Sequence, residues 1–107
     1  MDSLNADIIE SRLSQHPDWR TESGHLARDI QFPNFVSAWR FMNYVADVAE
    51  QQNHHPNWYN VYGTVQIRLS THDADGLTNR DFELARSIDH YLATEEYTNL
   101  PPTPFNG

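Results

Sequence analysis

The clearest periodicity in the chain runs through FVSAWRFMNYVADVAEQQN, from Phe35 to Asn53. Phe35, Ala38, Met42, Val45 and Ala49 fall on one helical stripe, and Phe41 with Val48 widen it. Pro33 and Asn34 precede this segment and Pro56 follows it. A proline ring clashes with the backbone of the residue before it, so a helix arriving from Phe35 should stop near His55. His54 can then still belong to the last turn, while His55 is driven extended. The apolar arc is wider than one contact with a sheet uses. A broad core-facing helix face fits it, and so does an oligomer surface along one side.

Strand patterns flank the helix. In HLARDIQF, Leu26, Ile30 and Phe32 alternate onto one face, although Arg28 shares it, and Ser23-Gly24 before them reads as the turn of a hairpin that begins near Trp19. After Pro56, Val65, Ile67 and Leu69 alternate with Thr64, Gln66 and Arg68, which predicts a half-buried strand, and Gly63 marks a turn or bulge after Tyr62. At the N-terminal end Leu4, Ile8, Ile9 and Leu13 recur at helical spacing until HPDW closes the pattern. A last helix opens with Thr78 as N-cap and Asp81 as a capping-box partner, and buries Leu84, Ala85, Ile88 and Leu92. The order is α-β-β-α-β-β-α. It predicts an α+β domain of two layers, a four-stranded antiparallel sheet with helices packed on one face. Residues 1–95 form this single domain, and 96–107 form a Pro-rich tail that is either loose or laid over a neighbour.

Composition narrows the function. A chain of 107 residues holds one modest core. Its net charge of -8, with only 7 Lys and Arg, argues against direct nucleic-acid binding, which needs a basic stripe. The acidic residues are dispersed, as on a solvated surface. Cysteine is absent, which removes disulfides, thiolate nucleophiles and Cys-based zinc sites and fits a reducing compartment. The acidic N-terminus MDSLNADIIESRLSQ does not read as a secretory signal, and no apolar run is long enough to span a bilayer, so a cytoplasmic protein with no membrane association is expected.

Chemistry concentrates around NHHPNWYNVY. Glu50 precedes His54 by four residues, which on a continuing helix puts both on one face. His55 follows in extended conformation, His72 lies just past the second strand of its pair, Asp81 opens the last helix, and Trp58 with several tyrosines offers aromatic walls. Imidazoles titrate near neutrality, so one can act as acid and another as base, with carboxylates fixing their tautomers. No Ser-centred elbow and no Gly-rich phosphate loop is present. Each residue also has a plainer reading. The histidines can be loop residues, Asp81 only a cap, Trp58 ordinary core and Glu50 a solvated helix residue. Zinc on three histidines and a carboxylate lacks a compact ligand spacing.

Glu50, HHPNW, VY and STHDADGLTNRD, in this order, resemble the pterin-4a-carbinolamine dehydratase family, also called 4a-hydroxytetrahydrobiopterin dehydratases. The lead-in RDIQFPNFVSAWRFMNYVADVAE is similar to that family's central helix, and the likeness runs from Trp19 to Leu92. The resemblance implies the same antiparallel sheet with helices on one face, a homodimer or a homotetramer built as a dimer of dimers, and no redox cofactor or metal. The implied reaction is loss of water from 4a-hydroxytetrahydropterin to give quinonoid dihydropterin, the recycling step after aromatic amino acid hydroxylation. By the same resemblance His54, His55 and His72 match the active-site histidines, and Glu50, Trp58 and Asp81 match functional positions around them. Asn53 stands where some relatives carry an acidic residue, and the tail carries no family motif. The alternative is a non-catalytic dehydratase-like binding protein, a dimerisation cofactor or assembly factor. A scaffold has no physical need for three imidazoles about a pocket, which favours the enzyme.

Overall fold

Asn34 starts the long helix, α2 (Phe35–Gln52): its backbone stays extended while its side chain accepts a hydrogen bond from the Ser37 N–H at 2.8 Å. In the computed structural model, which describes residues 2–107, this helix lies between two hairpins. The order is α1 (Ala6–Leu13), β1 (Arg20–Glu22), β2 (His25–Gln31), α2, β3 (Asn57–Val61), β4 (Thr64–Leu69), a 3-10 turn at His72–Ala74, α3 (Asn79–Leu92) and β5 (Thr98–Asn99). All strand pairs are antiparallel, in the order β1-β2-β4-β3. The α+β class and the helix and strand sequence agree with the expectation, except that the sheet has five strands rather than four. The fifth, β5, is two residues of the tail pairing with Ile30 and Gln31 of β2.

Both hairpins turn where the sequence predicts. Ser23 and Gly24 have positive φ (48° and 79°), as a two-residue turn between right-twisted strands demands. At the second turn Tyr62 takes the left-handed conformation, and Gly63 is needed for a different reason. Its carbonyl accepts the Phe32 N–H at 2.8 Å, and a Cβ there would overlap the Phe32 carbonyl.

The core lies between one sheet face and α2 with α3. Leu26, Ile30, Val65, Ile67 and Leu69 meet Ala38, Phe41 and Val45 of α2 and Leu84, Ile88 and Leu92 of α3, all essentially without exposure. Each large apolar side chain buried this way is worth about 1.5–3 kcal/mol relative to exposure. Arg28 does share the core-facing side. Its guanidinium reaches the Asp89 carboxylate at 2.7 Å and is enclosed by Tyr97 and Asn99.

Three local expectations are corrected. The long helix stops at Gln52, not near His55, because Asn53 adopts the left-handed conformation (φ 49°) and the His54 N–H closes back onto the Ala49 carbonyl at 3.0 Å. His54 is therefore outside the helix. Phe35 is not on the core stripe but exposed, as are Val36 and Trp39. Finally, β4 is buried on both faces rather than one: Gln66 and Arg68, on the outer face, lie beneath the tail. There Thr103 accepts from the Gln66 amide and donates to Asp29, and Phe105 stacks over the Arg68 guanidinium.

Candidate active site

The α2 exit and the α3 entry meet at His54. Because Asn53 reverses the chain, the His54 ring turns away from α2 into the domain, and its Nε2 lies 2.6 Å from Asp81 Oδ1. Both side chains are buried, Asp81 completely. Asp81 is also the capping-box residue of α3: its Oδ2 accepts the Thr78 N–H at 3.0 Å and the Thr71 hydroxyl at 2.8 Å. An ionised carboxylate only accepts, so a proton sits on the His54 Nε2. Thr78 completes the set, its hydroxyl 2.7 Å from that of Thr71.

His55 pairs differently. Its Nε2 lies 2.5 Å from Glu50 Oε2, and both side chains are more than half exposed. Glu50 thus meets His55, not His54 as a continuing helix would have had it. An exposed pair of this kind contributes little to stability, typically under about 1 kcal/mol.

His72 stands in the 3-10 turn after β4 and lines a hollow of about 480 Å³ with Asn57, Ser70, Thr71, Ser23 and His25. The rings of His54 and His55 do not line this hollow. They precede β3, whose pairing with β4 begins at Asn57 and Arg68. Thr71, beside His72, is joined through Asp81 to His54. Trp58 pairs with Ile67 and is half-buried against the core. A second hollow, of about 490 Å³ beneath α1, holds none of the candidate residues. Among the described residues no three His, Asp or Glu side chains gather as a metal site would require.

Thr71, Asn57 and Arg80 escaped the sequence reading. Arg80 donates to the Asn53 carbonyl, and so holds the turn that delivers His54. Thr71 and Asn57 stand beside His72 and Trp58 in the motifs themselves, but their roles come from a cross-strand register that local spacing does not reveal.

An antiparallel sheet with helices on one face and a carboxylate-held imidazole at the helix junction define a small α+β domain with a polar candidate site. The chain belongs to the pterin 4 alpha carbinolamine dehydratase family, whose model matches residues 2–91. A relative from Burkholderia orbicola (strain MC0-3) that carries the pterin-4-alpha-carbinolamine dehydratase name is 49% identical over 88 residues, covering 80% of this chain and 86% of its own. A relative of the same name from Synechococcus sp. (strain WH7803) is 53% identical over 73 residues, covering 68% of this chain and 78% of its own. The crystal structure of a transcriptional coactivator/pterin dehydratase from Brucella melitensis superposes with a TM-score of 0.81 at 30% identity, covering 83% of this chain and 97% of that one. No helix among the described residues is long and apolar enough to cross a membrane.

Proposed function

We propose that the protein dehydrates 4a-hydroxytetrahydropterin to quinonoid dihydropterin, in the cytoplasm, as the recycling step that follows aromatic amino acid hydroxylation. The observation that carries this reading is the buried His54–Asp81 pair, linked through Thr71 to the hollow lined by His72, in a chain of this family. The reaction needs a proton for the departing C4a hydroxyl, the N5 lone pair to expel it as water, and a base to take the N5 proton from the resulting cation. Histidines suit both transfers. His54 and His55 divide them, Asp81 and Glu50 orient the two rings, His72 contacts the C4a hydroxyl or the pterin edge, and Trp58 supports the wall. No metal or redox cofactor enters.

Following carbinolamine dehydration by its absorbance change tests the reading. The wild type should accelerate water loss, and His54→Ala should lose about 10²–10⁴-fold, the usual contribution of a positioned acid or base. Full activity in His55→Ala would exclude a shared acid–base role.

The exposed stripe of Phe35, Val36 and Trp39, with Phe35 and Trp39 stacked at 6.1 Å, supports self-association through α2, as a homodimer or homotetramer. The same stripe favours a second reading, a binding role as dimerisation cofactor or assembly factor.

A further inference from the structure

Beyond residue 91, where the family match ends, the chain does not leave the domain. After β5 it crosses the outer face of the sheet. The Leu100 N–H bonds the Asp29 carbonyl over β2, Gln66 of β4 bonds Thr103, the Pro104 carbonyl and the Asn106 N–H, and Gly107 arrives beside the Trp58 carbonyl of β3. This crossing sets Phe105 over Arg68, 4.9 Å from guanidinium carbon to ring centre. It also closes a hollow of about 380 Å³ between Pro104, Phe105, Glu22, Ser23, His25 and Arg68.

That hollow borders the one that holds His72. Ser23 and His25 line both, and Asn57 in one is the cross-strand partner of Arg68 in the other. The walls differ in kind. The His72 end adds short polar side chains and the His72 ring, the tail end adds Pro104 and the Phe105 ring, and the His25 imidazole borders both. His25 Nδ1 lies 3.0 Å from the Ser23 carbonyl, which places a proton there, so that in the neutral ring Nε2 is the acceptor. Glu22 is already engaged by Arg68 at 2.8 Å and by Arg20 at 3.2 Å, and His25 offers a ligand hydroxyl an uncharged acceptor.

We propose that Phe105 and His25 form a subsite for the substituent at C6 of the pterin, and that they select a hydroxyl-bearing chain there over a bare methyl group. The proposal rests on the dehydratase reading, with the bicyclic ring in the His72 hollow and its substituent directed under the tail. The hydroxyl donates to His25 Nε2 and the carbon chain packs on the Phe105 ring.

Dehydration rates on two substrates test it, one 4a-hydroxytetrahydropterin with a hydroxylated three-carbon chain at C6 and one with methyl. For Phe105→Ala in the full chain, KM for the first should rise about tenfold, the size of one lost contact of ~1.4 kcal/mol, with kcat held and the methyl substrate changed less than about twofold. His25→Ala, on the opposite wall, should give the same split, and decides the matter if the Phe105 variant does not fold. Equal changes for both substrates, or none for either, overturn the subsite while leaving the dehydratase reading intact. A wild type inactive on both overturns the reading and the subsite with it.

Discussion

Asp81 carries two duties that a single carboxylate can satisfy only because it has two oxygens. Its complete burial would be costly for a charge without partners, by several kcal/mol. Three donors offset this: His54 on Oδ1, and the Thr71 hydroxyl and Thr78 N–H on Oδ2. The cap on α3 therefore fixes the carboxylate, and the carboxylate fixes the imidazole. Thr71 is the member whose loss is cleanest to read, because Thr71→Ser keeps the hydroxyl and Thr71→Val does not. The valine variant should lose about 10- to 100-fold in kcat, the ~1.5–3 kcal/mol of a hydrogen bond to a charged group, with the serine variant near wild type. Equal rates in the two variants would remove Thr71 from the positioning of His54.

At the scale of elements, α2 shows what periodicity can and cannot say. Ala38, Val45 and Ala49 lie in the core as their spacing predicts, because a helix packed on a sheet buries one stripe and repeats it each turn. Phe35 has the same spacing but lies in the first turn and is exposed, and periodicity carries no information on where the sheet beneath ends. The helix ends earlier than the proline predicts for a related reason. Pro56 sets an outer limit, but Asn53 can turn left-handed earlier, and the bond from the His54 N–H to the Ala49 carbonyl and the contact of Arg80 with the Asn53 carbonyl both favour that. Thus the candidate histidines were legible as residue types in a motif, and their partners were not: Glu50 takes His55, and Asp81 takes His54. The exposed turn makes its own prediction. If α2 is the self-association surface, the wild type should scatter light as a multiple of the single-chain mass, and Trp39→Glu should weaken association by at least about 2 kcal/mol, roughly thirtyfold in Kd. Unchanged mass in this variant across a dilution series would assign the assembly to another face.

The molecule as a whole has helices on one side of its sheet and the tail on the other, so a chain of this size encloses charge as well as hydrocarbon. Arg68, buried on the outer face, holds Asp29 at 2.7 Å and Glu22 at 2.8 Å, and Arg20 and Thr103 also reach Asp29. Burial pushes the Asp29 carboxyl up, but the Arg68 guanidinium, with help from Arg20 and Thr103, outweighs it and holds the group below its ordinary value. Glu22 is lowered too: its desolvation raises it, and Arg68 and Arg20 more than reverse the effect. A carboxylate depressed by folding binds its proton more weakly in the native state than in the unfolded one. Its stabilisation is therefore complete above the ordinary carboxylate range and fades as pH falls through that range, about pH 4, and on through the lowered folded value. Asp29→Asn removes one of the two carboxylates that hold Arg68 and leaves Glu22 on it, so it should cost about 1.5–3 kcal/mol near neutrality, the size of a hydrogen bond to a charged group. Urea midpoints measured from about pH 6 down to about pH 3 should show the gap between wild type and Asp29→Asn narrowing as acid is added, since the wild type surrenders the same interaction to protonation. A gap that stays constant over that range would mean that the tail and the outer face are held by packing alone, with the ion pairs contributing nothing that depends on charge.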